Sequence, residues 1–336
     1  MVLIFSVKYD YSTACIIHWL NSWGIKVIRM NGDDDVYKFE QLTNDGIYFK
    51  NTITKEIINL KNVTACWWRR TGIKKNHLIK ASYRDKLILN DFDLTRLVAS
   101  NNGTNLINDE AEALIEYIVH SIYKTCPINL GKPVFNLNRL IILDMATKYG
   151  LKIPSYEIIS TGEQLLKSKA SIGNVVTKAI ANGIYADVQE HRFYTYTELV
   201  EEGFYKENLE NTFFPSIING LIEKQFEIRS FYIDGAFYSM AIFSQSDEKT
   251  KIDFRKYTNN RNSPYKLPDN IETKLRNIFI ELDLNCGSVD LIVDKNGDYI
   301  FLEINPVGQF AMTSEPCNYN LEKIVANYLR NGNKTN

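Results

Sequence analysis

A chain of 336 residues has room for two or three subdomains, each with a buried apolar core. Its 39 Lys plus Arg nearly balance its 40 Asp plus Glu, so no global field favours nucleic acid or an anionic membrane, and neither is expected as a partner. Five scattered cysteines (Cys15, Cys66, Cys126, Cys286, Cys317) and four histidines lack disulfide or zinc spacing, which points to a reducing compartment.

The N-terminus, Met1-Val-Leu-Ile-Phe-Ser, has no basic leader region and soon meets Lys8 and Asp10. It reads as a strand over Val2 to Val7 rather than a signal peptide, and a cytoplasmic location is expected. Thr13 to Trp23 carries Ile16, Ile17, Leu20 and Trp23 at helical spacing, Gly24 stops it, and Ile25 to Arg29 reads as a second strand. That is a βαβ opening of the doubly wound type. No Gly-x-Gly-x-x-Gly follows the first strand, so dinucleotide binding is not indicated. Tyr37 to Phe39, Gly46 to Lys50 and Thr52 to Leu60 suggest further short strands. Val63 to Arg70 ends in Trp67-Trp-Arg-Arg, a tip whose cations either pack on the indoles or face a ligand. A helix is expected from about Lys80 to Ser100, and another from an Asn108 cap to Lys124. Gly131-Lys-Pro-Val marks a linker and closes a first domain over 1–131.

Asn138 then caps a helix with Arg139 in its first turn and Gly150 at its end. Val175 to Lys178 is a strand ending in a single lysine, followed by a polar segment with Asn182-Gly183; another strand is expected around Arg192 to Tyr196. Phe213 to Asp234 has a pivot at Gly220 and a strand on which Glu227 and Arg229 share a face. As a plain surface pair these would contribute only ~0–1 kcal/mol. Asp234-Gly235 turns into a returning strand, Ile252-Asp-Phe-Arg-Lys adds Arg255, and Asp269 to Asp283 reads as a helix.

The last segment carries the chemistry. Val289 to Val293 and Tyr299 to Ile304 read as strands joined at Asn296-Gly297, a strong hairpin signal. Asp290 sits on one strand; Glu303 and Asn305, two residues apart, leave one face of the other. An amphipathic hairpin with acids on its wet face is the plainer reading. Here, however, the acids stand inside apolar runs, Val-Asp-Leu-Ile-Val and Phe-Leu-Glu-Ile-Asn, where an uncompensated carboxylate is costly. Two carboxylates and a carboxamide oxygen suit Mg²⁺, which keeps open positions for phosphate oxygens. With Arg139, Lys178, Arg229 and Arg255 upstream, the set fits a nucleoside triphosphate.

These residues resemble the ATP-grasp superfamily: a strand Asp, then after a hairpin Glu-x-Asn-Pro, with Lys178 like its second phosphate lysine and Arg139 where many members carry the first. More narrowly, Phe213-Phe-Pro-Ser, Ile222-Glu-Lys-x-Phe-Glu-Ile-Arg229, Asp253-Phe-Arg255 and Phe301-Leu-Glu-Ile-Asn-Pro-x-Gly-Gln-Phe310 are similar to graspetide (microviridin-type) peptide ligases. The half with Cys66-Trp-Trp-Arg-Arg is similar to the grasp-with-spasm maturase branch. The resemblance implies an α/β chain with an ATP-grasp fold, two α+β lobes gripping ATP, after an N-terminal doubly wound pre-ATP-grasp domain. Domains are then expected at 1–131, 132–215 and 216–336.

It further implies an ATP- and Mg²⁺-dependent ligase (two ions) that activates Asp or Glu carboxylates of a ribosomal precursor peptide as acyl phosphates. A Ser/Thr hydroxyl or Lys amine then closes a ring. Arg139 and Lys178 would contact the α/β-phosphates, and Asp290, Glu303 and Asn305 would hold Mg²⁺. Arg229 and Arg255 would face the γ-phosphate and the carboxylate. Glu223 and Lys224, just past a hinge from Ile217 to Ile222, are candidates for ribose or adenine contacts. Arg139 replaces the more usual Lys, and Asn219 stands where a hinge Gln is expected. A leader peptide is expected beside Val188 to Tyr205, and the family suggests a homodimer. A small-molecule carboxylate–amine ligase or kinase, and a non-catalytic nucleotide- or leader-binding scaffold, stay open as alternatives. Asp290→Ala or Glu303→Ala is expected to abolish ATP turnover while leaving the fold largely intact.

Overall fold

The computed structural model describes residues 1–78, 88–89, 92–93, 101–134, 136–181, 185–188, 191–194, 196–207, 210–246, 250–256 and 260–332. It divides into two compact units, Met1–Phe135 with Asn320–Asn336, and Asn136–Tyr319. No helix among the described residues is long and apolar enough to cross a membrane.

The first unit is built on a parallel sheet of β1 (Val2–Ser6), β2 (Val27–Asn31), β6 (Ala65–Trp68) and β9 (Ile128–Leu130), in the order β2-β1-β6-β9. Helix α1 (Tyr11–Ser22) makes the expected crossover from β1 to its parallel neighbour β2. An antiparallel sheet of β3 (Tyr37–Thr43), β4 (Gly46–Asn51) and β5 (Ile57–Asn59) is inserted before β6. Helix α2 (Lys75–Leu78) follows β6. Most of the helix expected over 80–100 lies outside the described residues. Within it, β7 (Ile88–Leu89) and β8 (Phe92–Asp93) pair as antiparallel strands instead. Helix α3 (Asn101–Thr125) begins a full two turns before Asn108, which is therefore interior and not a cap.

The Trp67-Trp-Arg-Arg tip is packed rather than displayed. Both indoles are buried, and Arg69, 3% exposed, lies 5.5 Å from the Trp67 ring and donates to Asp10 at 3.1 Å. Asp10 also caps α1 by accepting the Thr13 N–H. Burial pushes the Asp10 carboxyl up, but Arg69, the Thr13 amide and Arg70 together hold it below its usual value. A depressed carboxylate stabilises the fold above its unfolded value of 3.8 and loses that contribution as pH falls through its lower folded value. Asp10→Ala should cost about 3 kcal/mol or more, because it strands buried Arg69 and removes a cap. Urea unfolding at neutral pH measures the loss, and the gap from wild type should shrink at acid pH.

The second unit holds two sheets. The first, in the order β10-β15-β11-β14, joins β10 (Tyr156–Thr161), β11 (Val175–Lys178), β14 (Glu198–Leu199) and β15 (Thr212–Gly220). Helix α4 (Arg139–Lys148) precedes it, with the expected Asn138 cap accepting from the Leu140 and Ile141 amides. Helix α5 (Gly162–Ile172) covers one face of that sheet through Ile159, Leu165, Val175 and Ile218. The ribbon of β12 (Tyr185–Val188) and β13 (His191–Tyr194) and helix α6 (Glu202–Glu207) complete this part. Strand β15 runs across the expected boundary at 215. Its last residue, Gly220, has no room for a Cβ, which would stand 2.6 Å from Ser155 Oγ and 2.8 Å from Ile172 Cγ2.

The second sheet is antiparallel, ordered β18-β17-β16-β19-β20. Its strands are β16 (Lys224–Ile233), β17 (Ala236–Phe243), β18 (Arg261–Tyr265), β19 (Cys286–Asp294) and β20 (Tyr299–Asn305). Helices α4 and α7 (Asp269–Glu281) bury one face, Ile142, Leu143, Leu275 and Phe279 packing on Ile228, Tyr232, Val289, Leu291, Val293, Phe301 and Ile304. The Phe279 and Tyr232 rings stack with centroids 4.0 Å apart. Helix α8 (Ala311–Cys317) lies on the opposite face, Cys317 packing on Met240 and Ile242. The final helix, α9 (Leu321–Asn331), groups with the first unit and not with the expected C-terminal lobe. Its buried stripe is Leu321, Val325, Ala326 and Leu329, and Lys323 and Arg330 lie over the rings of Trp19 on α1 and of Trp23, the residue that caps the C-terminus of α1.

Candidate functional site

Strand alternation decides what the face beneath α8 presents. On β16 the core takes even positions and leaves Glu227 and Arg229 on the other side; on β19 it takes odd positions and leaves Asp290 and Ile292. On β20 the register shifts: Asp290 pairs with Glu303 and Leu291 with Phe301, leaving Leu302 as a bulge. The bulge lets Phe301 stay in the core while Glu303 and Asn305 turn to the same face as Asp290. Strands β19 and β20 are joined by four residues, Lys295 to Asp298, with Gly297 at φ +84° and Asp294 Oδ1 accepting the Asn296 and Asp298 amides. The hairpin is the expected one, but its connection is two residues longer than a two-residue turn.

This face and the sheet of β10, β11 and β15 enclose a cavity of about 690 Å³. Arg229 Nη1 donates to Asp290 Oδ2 at 2.5 Å, directly across the strand pair. Arg139 Nη2 donates to Glu303 Oε2 at 2.6 Å, its Nη1 binds the Ala179 carbonyl, and Lys178 Nζ stands 3.9 Å from the same Glu303 oxygen. Asp253, 4% exposed, accepts from the Thr197 amide and from Arg255 through its backbone N–H, Nε and Nη2. Arg255 lies 5.8 Å from the Tyr196 ring. Lys224 and Glu227 form a buried pair at 2.6 Å, which Ser244 Oγ also joins.

The charges are strongly coupled. Burial, reinforced by the facing Glu303, pushes the Asp290 carboxyl up against the pull of Arg229. Burial also raises Glu303, but Lys178 and Arg139 outweigh it and hold Glu303 below the usual range. The two facing carboxyls are thus shifted in opposite directions, Asp290 up and Glu303 down. Burial lowers Lys178 to about 8 against the opposing pull of Glu303. The hydrogen bond to Asp253 keeps Arg255 firmly protonated.

The oxygens fit a divalent cation. Asp290 Oδ1 is buried and makes no hydrogen bond among the described residues, and it stands across the strand pair from Glu303. Asn305 Oδ1 accepts the Val307 amide at 3.0 Å and keeps a second lone pair. Among the described residues no three His, Cys, Asp or Glu side chains gather as a metal cage. Two carboxylates with an amide match instead the open ligation of Mg²⁺, completed by phosphate and water.

Arg139, Lys178, Ile222, Lys224, Arg229, Arg255, Asp290, Glu303 and Asn305 all line the cavity. Two candidates do not. Ile217 is fully buried on β15, where it pairs in register with Lys178. Glu223 is exposed and pairs with Lys295 at 2.8 Å. Asn219 lines the cavity with a buried Nδ2 that has no partner among the described residues. The sequence signals for Asn262, Met312 and Glu315, which also line it, are weak, since β18 contains Pro264 and α8 contains Pro316. The segment expected to meet a leader, Val188 to Tyr205, lies partly outside the described residues.

No protein-family model and no curated protein matches this chain. Solved structures do, along its whole length. An ATP-grasp ligase associated with RiPPs from Chryseobacterium gregarium, solved with ADP and a leader and core peptide, is 22% identical with a TM-score of 0.75, over 98% of this chain and 96% of that one. The macrocyclase MdnC from Microcystis aeruginosa, bound with precursor peptide MdnA, is 22% identical at 0.72, over 98% and 99%. The ATP-grasp ligase PsnB, complexed with a minimal precursor, Mg and ADP, is 13% identical at 0.67, over 98% and 97%. The chain therefore has the ATP-grasp ligase fold from end to end.

Proposed function

We propose that this chain is a cytoplasmic, ATP-dependent peptide ligase. It phosphorylates Asp or Glu side-chain carboxylates of a ribosomal precursor peptide and joins them to Ser/Thr hydroxyls as ω-esters or to Lys amines as ω-amides. The observation that carries the reading is one cavity face on which Asp290, Glu303 and Asn305 stand among Arg139, Lys178, Arg229 and Arg255. A carboxylate is a poor electrophile, and phosphorylation gives it a leaving group; cations and positioning are what the reaction needs from a protein. The ligases of the same fold solved with precursor peptides support the substrate class.

Arg139 and Lys178 bind the α- and β-phosphates. Asp290, Glu303 and Asn305 hold Mg²⁺, which when bound neutralises phosphate charge. Arg229 and Arg255 orient the substrate carboxylate and stabilise the oxyanion that develops when the acyl carbon is attacked. Asp253 fixes the Arg255 guanidinium through two of its nitrogens. Ile222 and Asn219 border the nucleotide end.

Incubation with ATP, Mg²⁺ and an acidic, Thr-rich precursor should remove one water from the peptide per ring and release one ADP and one phosphate. Unchanged peptide mass with ADP released on a small carboxylate would turn the assignment to a small-molecule ligase or kinase. Tight peptide binding without turnover would leave a scaffold.

A further inference from the structure

The attacking group has no obvious receiver for its proton among the residues so far described. Four of the five carboxylates lining the cavity are committed to cations: Glu227 to Lys224, Asp253 to Arg255, Asp290 to Arg229 and Glu303 to Arg139. The fifth, Glu315, makes no side-chain hydrogen bond or ion pair among the described residues and is exposed at the cavity mouth. It shares one face of α8 with Met312 and Pro316, at i, i+3 and i+4 spacing, and all three line the cavity.

A second acceptor lines the same cavity. Asn262 on β18 pairs with Ile242, on which α8 packs through Cys317, and its Oδ1 is buried on the cavity wall without a donor among the described residues. A buried carbonyl oxygen left without a donor is costly, so this wall is built to receive one. Two acceptors without donors recognise a hydroxyl or an ammonium group.

Their position fits the direction of attack. In the order β18-β17-β16-β19-β20, Arg229 and Asp290 occupy the two strands β16 and β19. Glu303, with Arg139 and Lys178 on it, lies at the β20 edge; Asn262 and α8 lie toward the β18 edge. The phosphate cations and the unpaired acceptors therefore flank the Arg229–Asp290 pair from opposite sides. We infer that Glu315 and Asn262 form the subsite for the attacking side chain, and that Glu315 is the catalytic residue that takes its proton.

This rests on the ligase reading. The nucleophile's oxygen or nitrogen forms a bond to the acyl carbon, and the bond from that carbon to the phosphate oxygen breaks. Phosphate leaves toward Arg139 and Lys178 with the electron pair, and the proton passes to a Glu315 carboxylate oxygen and then to water. Asn262 Oδ1 holds the donor in line.

Hydroxylamine separates the two halves of the reaction, because it attacks an acyl phosphate without needing a base. The full chain is incubated with ATP, Mg²⁺, a synthetic acidic, Thr-containing precursor peptide and hydroxylamine, and rings and hydroxamates are counted by mass. Glu315→Gln should lower the ratio of ring to hydroxamate about 100-fold, the usual contribution of a positioned base. Asn262→Ala should lower the same ratio by a smaller factor. A wild-type ratio in Glu315→Gln overturns the inference, as does a parallel loss of ring and hydroxamate. A wild-type chain that forms neither product brings down the ligase reading itself.

Discussion

Asp290→Asn is expected to lower ATP turnover about 100-fold or more, while Asp290→Ala should in addition unfold more easily by about 3–5 kcal/mol. The first number follows from the cation, whose charge stabilisation of several kcal/mol is lost when one of two carboxylates becomes an amide. The second follows from Arg229, whose side chain is 7% exposed and whose Nη1 binds Asp290. Alanine leaves that guanidinium buried without its acid, the costly way to break a buried pair. Asparagine keeps an oxygen for Arg229 and the packed volume. The Arg229 contact therefore bears on the expectation from sequence that Asp290→Ala leaves the fold largely intact, and the urea midpoint of that variant tests it. ADP release and urea midpoints for the two variants measure both effects. Wild-type turnover in Asp290→Asn would remove Asp290 from the cation set; equal midpoints would mean that Arg229 finds another partner.

What could be read from sequence depended on whether local rules set the outcome. Asn138 and Gly150 bracket α4 as capping chemistry requires, so Arg139 falls in the first turn where it was expected. Alternation on β16 and β19 put Arg229 and Asp290 on one face. Long-range contacts were harder to read. Glu227 and Arg229 look like mutual partners at i, i+2, yet Glu227 pairs with Lys224, three residues back on its own strand, and Arg229 with Asp290 directly across the strand pair. Ile217 and Asn219 have equal claims by spacing, yet Ile217 is fully buried and only Asn219 of the two lines the cavity. The Leu302 bulge leaves no local mark, although it reconciles a core Phe301 with a cavity-facing Glu303. Glu315 and Asn262 escape notice because a seven-residue helix and a Pro-containing edge strand carry little periodic signal.

The Arg229–Asp290 pair makes a sharper prediction through protons. Arg229→Ala should stop ring formation about as completely as Asp290→Asn, and the double variant should be little worse than either single one. Burial and Glu303 already push the Asp290 carboxyl up, and Arg229 is what pulls it back. Without that guanidinium Asp290 rises further and keeps its proton, so the single replacement removes a cation and silences a carboxylate together. Residues acting as one unit lose function non-additively, and the coupling energy equals the smaller single loss. The pH dependence carries the sign. A raised carboxylate is charged only above its shifted value, so ATP turnover by Arg229→Ala should recover partly as pH rises, and Asp290→Asn should show no such recovery. Stability must run the other way. A group with a raised folded value stabilises the fold fully below its unfolded value of 3.8 and loses that contribution as pH climbs through the folded one. Arg229→Ala should therefore become less stable relative to the Arg229→Ala/Asp290→Asn double variant over the same pH range in which its activity returns. Additive losses across the cycle, or a flat pH response in Arg229→Ala, would show that Arg229 and Asp290 act separately.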